Sequence, residues 1–309
     1  MNNYPIPGSA LTGNATTAQA LAFLKSPTQI ARRFSEIIAD HNFLAHYLLR
    51  GRYTMSGGAV SFSPDESTST GSTAETVAPG GEYPLAALPA DAAVLVAALK
   101  KGLGTIVADE QVGRTQMDPI ERGIQLLAND LITQFDAAAL SAILSAVGQT
   151  VNGGAWTAAQ TIVANVEVGK AQIKAQHKGY RATSVVLTDL QWAAISPILL
   201  PLLPREAGNP ILAGAFPNIL GLDWVTSSDL PAGWVPLIAD ADHLGGIGHE
   251  VIPSEEYVSL ASIDRENRSN IEVARYREQN DSTRIQVRKA DVPIVANPLA
   301  AAKITGTGI

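Results

Sequence analysis

The chain has 309 residues, of which 46% are hydrophobic, only 17% are charged, and none is Cys. That length supports two domains or one large domain with extensions, and the apolar fraction excludes wholesale disorder. The missing Cys excludes a disulfide framework, a thiolate metal site and a cysteine nucleophile. Charge is unevenly placed: residues 1–60 carry +3, 61–150 carry −7, 151–263 carry −5 and 264–309 carry +2, for a net −7. This balance argues against binding nucleic acid by phosphate neutralisation, and it favours self-association between segments of opposite sign. So light a charge count leaves much surface to be covered by something other than water. The first charge, Lys25, comes too late for a secretory signal, and no run approaches eighteen uninterrupted apolar residues. The expectation is a cytoplasmically made protein that does not enter a membrane.

Residues 1–24 are uncharged and rich in Asn, Thr, Gly, Ala and Pro, and read as a flexible leader. From Ser26 and Pro27, a cap and a first-turn proline, the apolar residues Ile30, Phe34, Ile37, Ile38, Phe43, Leu44, Tyr47 and Leu48 recur at helical spacing, with a break expected near Asp40. Two short alternating runs, 52–54 and 60–62, read as a β-hairpin across Gly57 and Gly58, followed by a polar excursion to residue 89. Between Tyr53 and Asp91 that excursion carries Asp65, Glu66, Glu75 and Glu82 and no Lys or Arg. A loop of this length with little core of its own needs a partner surface or stays disordered.

Asp118-Pro119-Ile120-Glu121 is a strong helix start, with Asp118 as cap, and the helix runs to Gly148. A second helix spans residues 158–177. Beyond it the pattern predicts a buried strand at 184–187, a short helix at 190–195, and a proline-rich stretch through Pro197, Pro201, Pro204 and Pro210. Further strands are expected near 222–226, 234–239, 257–261, 272–276, 284–288 and 292–296. Irregular alternation of helix and strand points to an α+β fold with mixed sheets.

Motifs for chemistry are sparse. There is no phosphate-binding loop, dinucleotide fingerprint or nucleophile elbow, and in Lys100-Lys101-Gly102-Leu103-Gly104 the lysines precede the glycines. His41 and His46 are five apart, the wrong spacing for one helical face. Asp240, Asp242, His243, His249 and Glu250 form a carboxylate and imidazole cluster. With no orienting motif beside it, it reads as a turn with solvated polar residues rather than a metal centre or a hydrolase site. No catalytic residue, metal ligand or cofactor is assigned. The mixed charges from Asp264 to Lys289 read as a strand surface with cross-strand ion pairs.

The order of these features resembles that of the major capsid proteins of tailed bacteriophages with the Hong Kong 97-type fold, in particular those of long-tailed phages of actinobacteria. The resemblance covers nearly the whole chain from about residue 20. It rests on the helix Pro27 to Leu48 leading into Arg50-Gly51-Arg52, the Gly57-Gly58 hairpin, Val77-Ala78-Pro79-Gly80-Gly81-Glu82-Tyr83-Pro84 and Asp118-Pro119 with the long helix. It continues through Ile219-Leu220-Gly221-Leu222-Asp223-Trp224, Asp229-Leu230-Pro231, Leu244-Gly245-Gly246, Val292-Pro293-Ile294-Val295 and Lys303-Ile304-Thr305-Gly306.

The resemblance implies an N-terminal arm over 1–48, an extended loop over 49–92, a peripheral domain over 93–148 and 270–309 built on the long spine helix, and an axial domain over 149–269. It implies a non-enzymatic shell protein, self-assembling as hexamers and pentamers into an icosahedral capsid around double-stranded DNA held without sequence specificity. An encapsulin-like compartment shell of the same fold is the alternative. The implied partners are further copies of the chain, a scaffold protein, a portal and a cementing or decoration protein, with assembly in the host bacterial cytoplasm and a final place in the virion. Some relatives crosslink a loop Lys to a neighbouring Asn. Residues 53–92 hold no Lys, which closes that route. The candidate interface residues are Asp65, Glu66, Glu75 and Glu82 of the loop against Arg32, Arg33, Arg265, Arg268, Arg275 and Arg277 of a neighbour. The competing reading pairs these arginines locally with Asp264, Glu266, Glu272 and Glu278.

Overall fold

The computed structural model describes residues 16–39, 44–87, 92–199, 218–259 and 271–309. Its chain begins with three helices, α1 (Thr17–Lys25), α2 (Pro27–Ala39) and α3 (Leu44–Leu48). The first departs from the expected flexible leader. The Gln19 N–H donates to the Thr16 hydroxyl at 3.3 Å and the Thr16 N–H donates to the Gln19 side chain at 2.8 Å, a reciprocal cap written in the sequence as Thr16 and Gln19. Ala20 and Leu24 then bury one face of α1. The second helix starts as expected: the Gln29 N–H donates to Ser26 Oγ at 3.4 Å, and Pro27 fills the first turn, where its missing N–H is no loss. The expected break at Asp40 falls outside the described residues.

Helices α4 (Asp109–Thr115) and α5 (Asp118–Ala146) follow, then α6 (Ala159–Lys174) and α7 (Asp189–Leu199). The 29 residues of α5 make a rod of about 44 Å. It starts one residue earlier than expected, since Met117 occupies the cap position and Asp118 lies in the first turn, where its charge faces the helix N-terminus. This rod serves two cores. Its first half, Ile120, Ile124, Leu127 and Leu131, packs with Ile30, Phe34 and Ile37 of α2. Its second half, Ala139, Leu140 and Ile143, packs with Leu44, Leu48 and Leu49. The arm is therefore folded along the spine by ordinary apolar burial, at about 25 cal/mol per Å² removed from water.

The strands in chain order are β1 (Gly51–Met55), β2 (Ala59–Phe62), β3 (Val94–Ala97), β4 (Leu99–Ala108), β5 (Thr150–Asn152), β6 (Ser184–Thr188) and β7 (Asn218–Ile219). After them come β8 (Leu222–Ser227), β9 (Leu237–Ala239), β10 (Gly246–Glu250), β11 (Val258–Ser259), β12 (Glu272–Arg277), β13 (Ser282–Ile294) and β14 (Ala301–Thr305). One sheet has the order β1-β10-β13-β12-β11, with β4 also paired to β13. The other has the order β5-β14-β9-β6-β8-β7. The second sheet packs against α6 and α7 through Val185, Leu187, Trp224, Ile238 and Ile304 on one side and Ile162, Val166, Ile173 and Ile195 on the other.

Three strand expectations are corrected. The runs 52–54 and 60–62 do not pair with each other: β1 adds in parallel to β10, and the hairpin is β2 with β3, closing the excursion at its far end. Glu250 explains the split. Its Oε1 accepts from the Gly57 and Gly58 N–H groups at 3.2 and 3.0 Å, turning the chain away at positive φ of 91° and 77°. The runs 284–288 and 292–296 are one strand, β13, in which Pro293 is tolerated because the pairing with β4 ends at Asp291. The glycine-containing segment 99–108, absent from the strands expected above, is the ten-residue strand β4. Its glycines mark a close approach, for a Cβ on Gly102 would lie 2.9 Å from the Val287 carbonyl oxygen.

Candidate functional site

Two features stand out chemically, a buried junction of charges and an exposed acidic loop. The junction lies where one face of the first sheet meets α5 and α3. Because alternate residues of a strand share a face, Lys289 and Asp291 of β13 point the same way as His249 of the adjoining β10. Lys289 Nζ lies 2.7 Å from Asp291 Oδ2 and His249 Nδ1 lies 2.8 Å from Asp291 Oδ1, with all three side chains buried. Burial alone would push the Asp291 carboxyl up, but the Lys289 charge and the His249 hydrogen bond outweigh it and hold the group below its ordinary range. The Lys289 ammonium also sits 4.8 Å from the centre of the Phe135 ring, which Lys101 faces at 5.5 Å.

The next residue of α5, Asp136, accepts from the Leu44 and Ala45 N–H groups at 3.3 and 2.9 Å and so caps α3 from the spine. Burial raises its carboxyl above the ordinary range despite those two bonds. A pocket of about 40 Å³ lies among His46, Lys101, Phe135, Asp136, Lys289 and Asp291. It has room for about one water molecule, too little for a substrate. His41 is outside the described residues.

The 240–250 cluster is not the solvated turn expected from sequence. Asp240 and His249 are buried, and His249 and Glu250 belong to β10. Their partners are separate: Asp240 accepts from the Arg181 N–H at 2.7 Å and holds His243 Nδ1 at 2.8 Å, Asp242 pairs with Arg50, and Glu250 caps Gly57 and Gly58. These carboxylates tie loops down and do not converge. Among the described residues no three His, Asp or Glu side chains are grouped as a metal ion needs. The signal that separates them in sequence is weak, since each partner lies in a remote segment.

The loop has the opposite character. Residues 63–87 form no helix or strand, and almost all from Glu66 to Ala87 are exposed, including Tyr83 at 78% and Leu85 at 96%. Glu75 and Glu82 are exposed and have no ion pair among the described residues. Asp65 differs: its N–H donates to the Ala296 carbonyl at 2.8 Å and its Oδ1 accepts from the Leu299 N–H at 3.1 Å, so it faces its own chain. Glu66 is exposed at its side chain while its carbonyl accepts from Lys178.

The candidate cations divide in the same way. Arg33 donates from Nε and Nη2 to the buried Glu121 at 2.8 and 2.5 Å, and Nη1 reaches Glu36 at 3.1 Å. Arg277 makes a two-pronged contact with Asp109 at 2.7 and 2.6 Å, which holds the Asp109 carboxyl below its ordinary range. Local pairing thus occurs, but with partners other than those expected, because Arg288 takes Glu272 and Arg284 takes Glu278. Arg32 is exposed and Arg275 is half-buried with its Nε lacking a hydrogen-bond partner among the described residues. Arg265 and Arg268 lie outside the described residues, as do Asp264 and Glu266. Of the described candidates the structure therefore leaves the side chains of Glu66, Glu75, Glu82 and Arg32 facing outward.

A family model described as phage capsid protein matches residues 91–304. No curated protein matches the chain in sequence. Among solved structures it is similar to the capsid of cyanophage P-SCSP1u, at 13% identity and a TM-score of 0.59, covering 85% of this chain and 88% of that one. It is similar to a chain of Microbacterium phage Oxtober96 at 13% identity and 0.53, covering 95% and 99%. It is also similar to the SrpI encapsulin of Synechococcus elongatus, at 11% identity and 0.57, covering 85% and 86%. At these identities the likeness is one of fold.

Proposed function

The chain belongs to the phage capsid protein family and is a major capsid protein with the Hong Kong 97-type fold; on that premise we propose that its copies close, as hexamers and pentamers, into an icosahedral shell around double-stranded DNA. The observation that carries the reading is the loop. A segment of some twenty mostly exposed residues, acidic and carrying Tyr83 and Leu85, buries little against its own chain among the described residues. A second subunit supplies what it lacks, burying the apolar tips and answering the charge.

In this reading the first sheet with α5 is the peripheral domain and the second sheet is the axial domain. β14 then goes with the axial domain and β10 and β11 with the peripheral one, whereas the resemblance puts 270–309 in the peripheral domain and 149–269 in the axial one. The chain acts without catalysis or cofactor. Scaffold, portal and cementing proteins are its partners, assembly takes place in the host cytoplasm, and the virion is its final place. The packaged DNA is held without sequence readout, consistent with the acidic balance.

Electron microscopy of the expressed chain, with and without a scaffold protein, tests this. Closed shells or capsomers are the expected result, and a compact monomer at high concentration by sedimentation counts against it. Protease should cut between Ser67 and Thr73 quickly in free subunits and slowly in shells; equal rates would show that the loop is not covered on assembly. The fold shared with the encapsulin also fits a second reading, a compartment for protein cargo. Nuclease-resistant DNA inside purified particles decides for the capsid, and co-purifying protein cargo without DNA decides for the compartment.

A further inference from the structure

We propose that Lys178 and Asp65 form a latch that fixes the root of the exposed loop to the body of the same subunit, so that the loop swings from Ser67 and not from the end of β2. The chemistry lies in the backbone. In extended chain successive carbonyls point to opposite sides, but Asp65 has φ of 51°, a left-handed conformation that a non-glycine residue adopts only under constraint. Here the Asp65 and Glu66 carbonyls are brought to one side. The Lys178 ammonium donates to both, at 2.5 and 2.9 Å.

Three segments meet at this point. The Asp65 N–H donates to the Ala296 carbonyl, the Asp65 carboxylate accepts from the Leu299 N–H, and Lys178 follows the C-terminal end of α6. Lys178 is itself aimed by a turn, for the residues on either side, His177 and Gly179, have φ of 55° and 81°. Burial raises the Asp65 carboxyl above its ordinary range, with the Leu299 N–H and the Lys178 charge opposing the rise. The loop's two ends are then unlike. Both ends leave the β2–β3 hairpin, whose inner residues Val60, Phe62 and Val96 rest on Met55, Val292 and Ile294, but only the entry, just past β2, carries the further tie to Lys178, Ala296 and Leu299. Lys178 is thus a positioning residue. It lies 113 and 112 positions from the Asp65 and Glu66 carbonyls that it holds.

The consequence for shell closure rests on the assembly reading above, so the test separates the two. Hydrogen exchange on the full-length, unassembled subunit should show the amides of Ser63, Asp65 and Glu66 exchanging about tenfold or more faster in Lys178→Met than in the native chain, with β6 unchanged. Lys178→Arg, which keeps charge and donors, should restore most of the protection. Asp65→Ala should speed exchange at Leu299 as well. Wild-type exchange across 63–66 in Lys178→Met, or an equal rise at β6, would overturn the latch whatever the chain assembles into. In an assembly assay, Lys178→Met should raise the share of irregular aggregates over closed shells. Normal shells from a variant whose root exchanges fast would overturn the positioning role, while the exchange result would stand apart from the assembly reading.

Discussion

Replacing Asp291 by alanine should cost the fold about 3–5 kcal/mol, the cost of stripping a buried ion pair of one partner. The carboxylate neutralises Lys289 and orients His249, and all three side chains are buried. Linkage gives the direction with pH. Because the folded carboxyl lies below its ordinary range, its contribution is present above the unfolded carboxylate range and is lost as pH falls through the folded value. Urea titration of unassembled subunits at neutral pH is the measurement. A loss below about 1 kcal/mol would show that the triad is not the electrostatic unit its distances indicate. Lys289→Met together with Asp291→Leu should recover most of the loss, since an apolar pair of similar volume avoids the desolvation of both charges.

Glu82→Arg should block assembly while leaving the subunit folded. Glu82 is exposed and is not needed by its own chain, so far-ultraviolet circular dichroism and the urea midpoint should not move. A single exposed ion pair is worth only about 0–1 kcal/mol, but the same contact recurs around every capsomer, and reversal replaces attraction by repulsion at each one. Of the candidate arginines among the described residues Arg32 is exposed without an ion pair, so Arg32→Glu in the Glu82→Arg background should restore particles. Salt screens such pairs over about 10 Å at 0.1 M, and raising it should weaken native assembly and relieve the reversed variant. Normal particles from Glu82→Arg at both low and high salt would rule out an electrostatic loop contact.

The helices are legible because their signals are local. Pro27 with Ser26 and the spacing of Ile124, Leu127 and Leu131 announce themselves within a few turns. The Thr16 and Gln19 cap is equally local, yet it hides among uncharged, small residues that resemble a leader. The strands are harder, since what makes 99–108 a strand is β13, nearly two hundred residues away, and glycine at 102 and 104 looks like a break until the Val287 backbone is placed against it. Glu250 holding Gly57 and Gly58 cannot be read from spacing either, and it decides which strands pair. The acidic loop is visible as composition. The inward turn of Asp65 and the local partners of Arg33 and Arg277 are not, because each depends on a carboxylate, carbonyl or amide from a distant segment.

The position of β13 has a consequence during synthesis. It pairs with β4, β10 and β12 in one sheet, and β14, only seven residues beyond it, pairs with β5 and β9 in the other. Neither sheet is complete until residues 282–305 are made, after all of its other strands. Contacts of such long sequence separation form slowly. Until they do, β4 has no strand to lie against and the hairpin of β2 and β3 has no Val292 or Ile294 beneath it, so a growing chain cannot present the loop and the body in register.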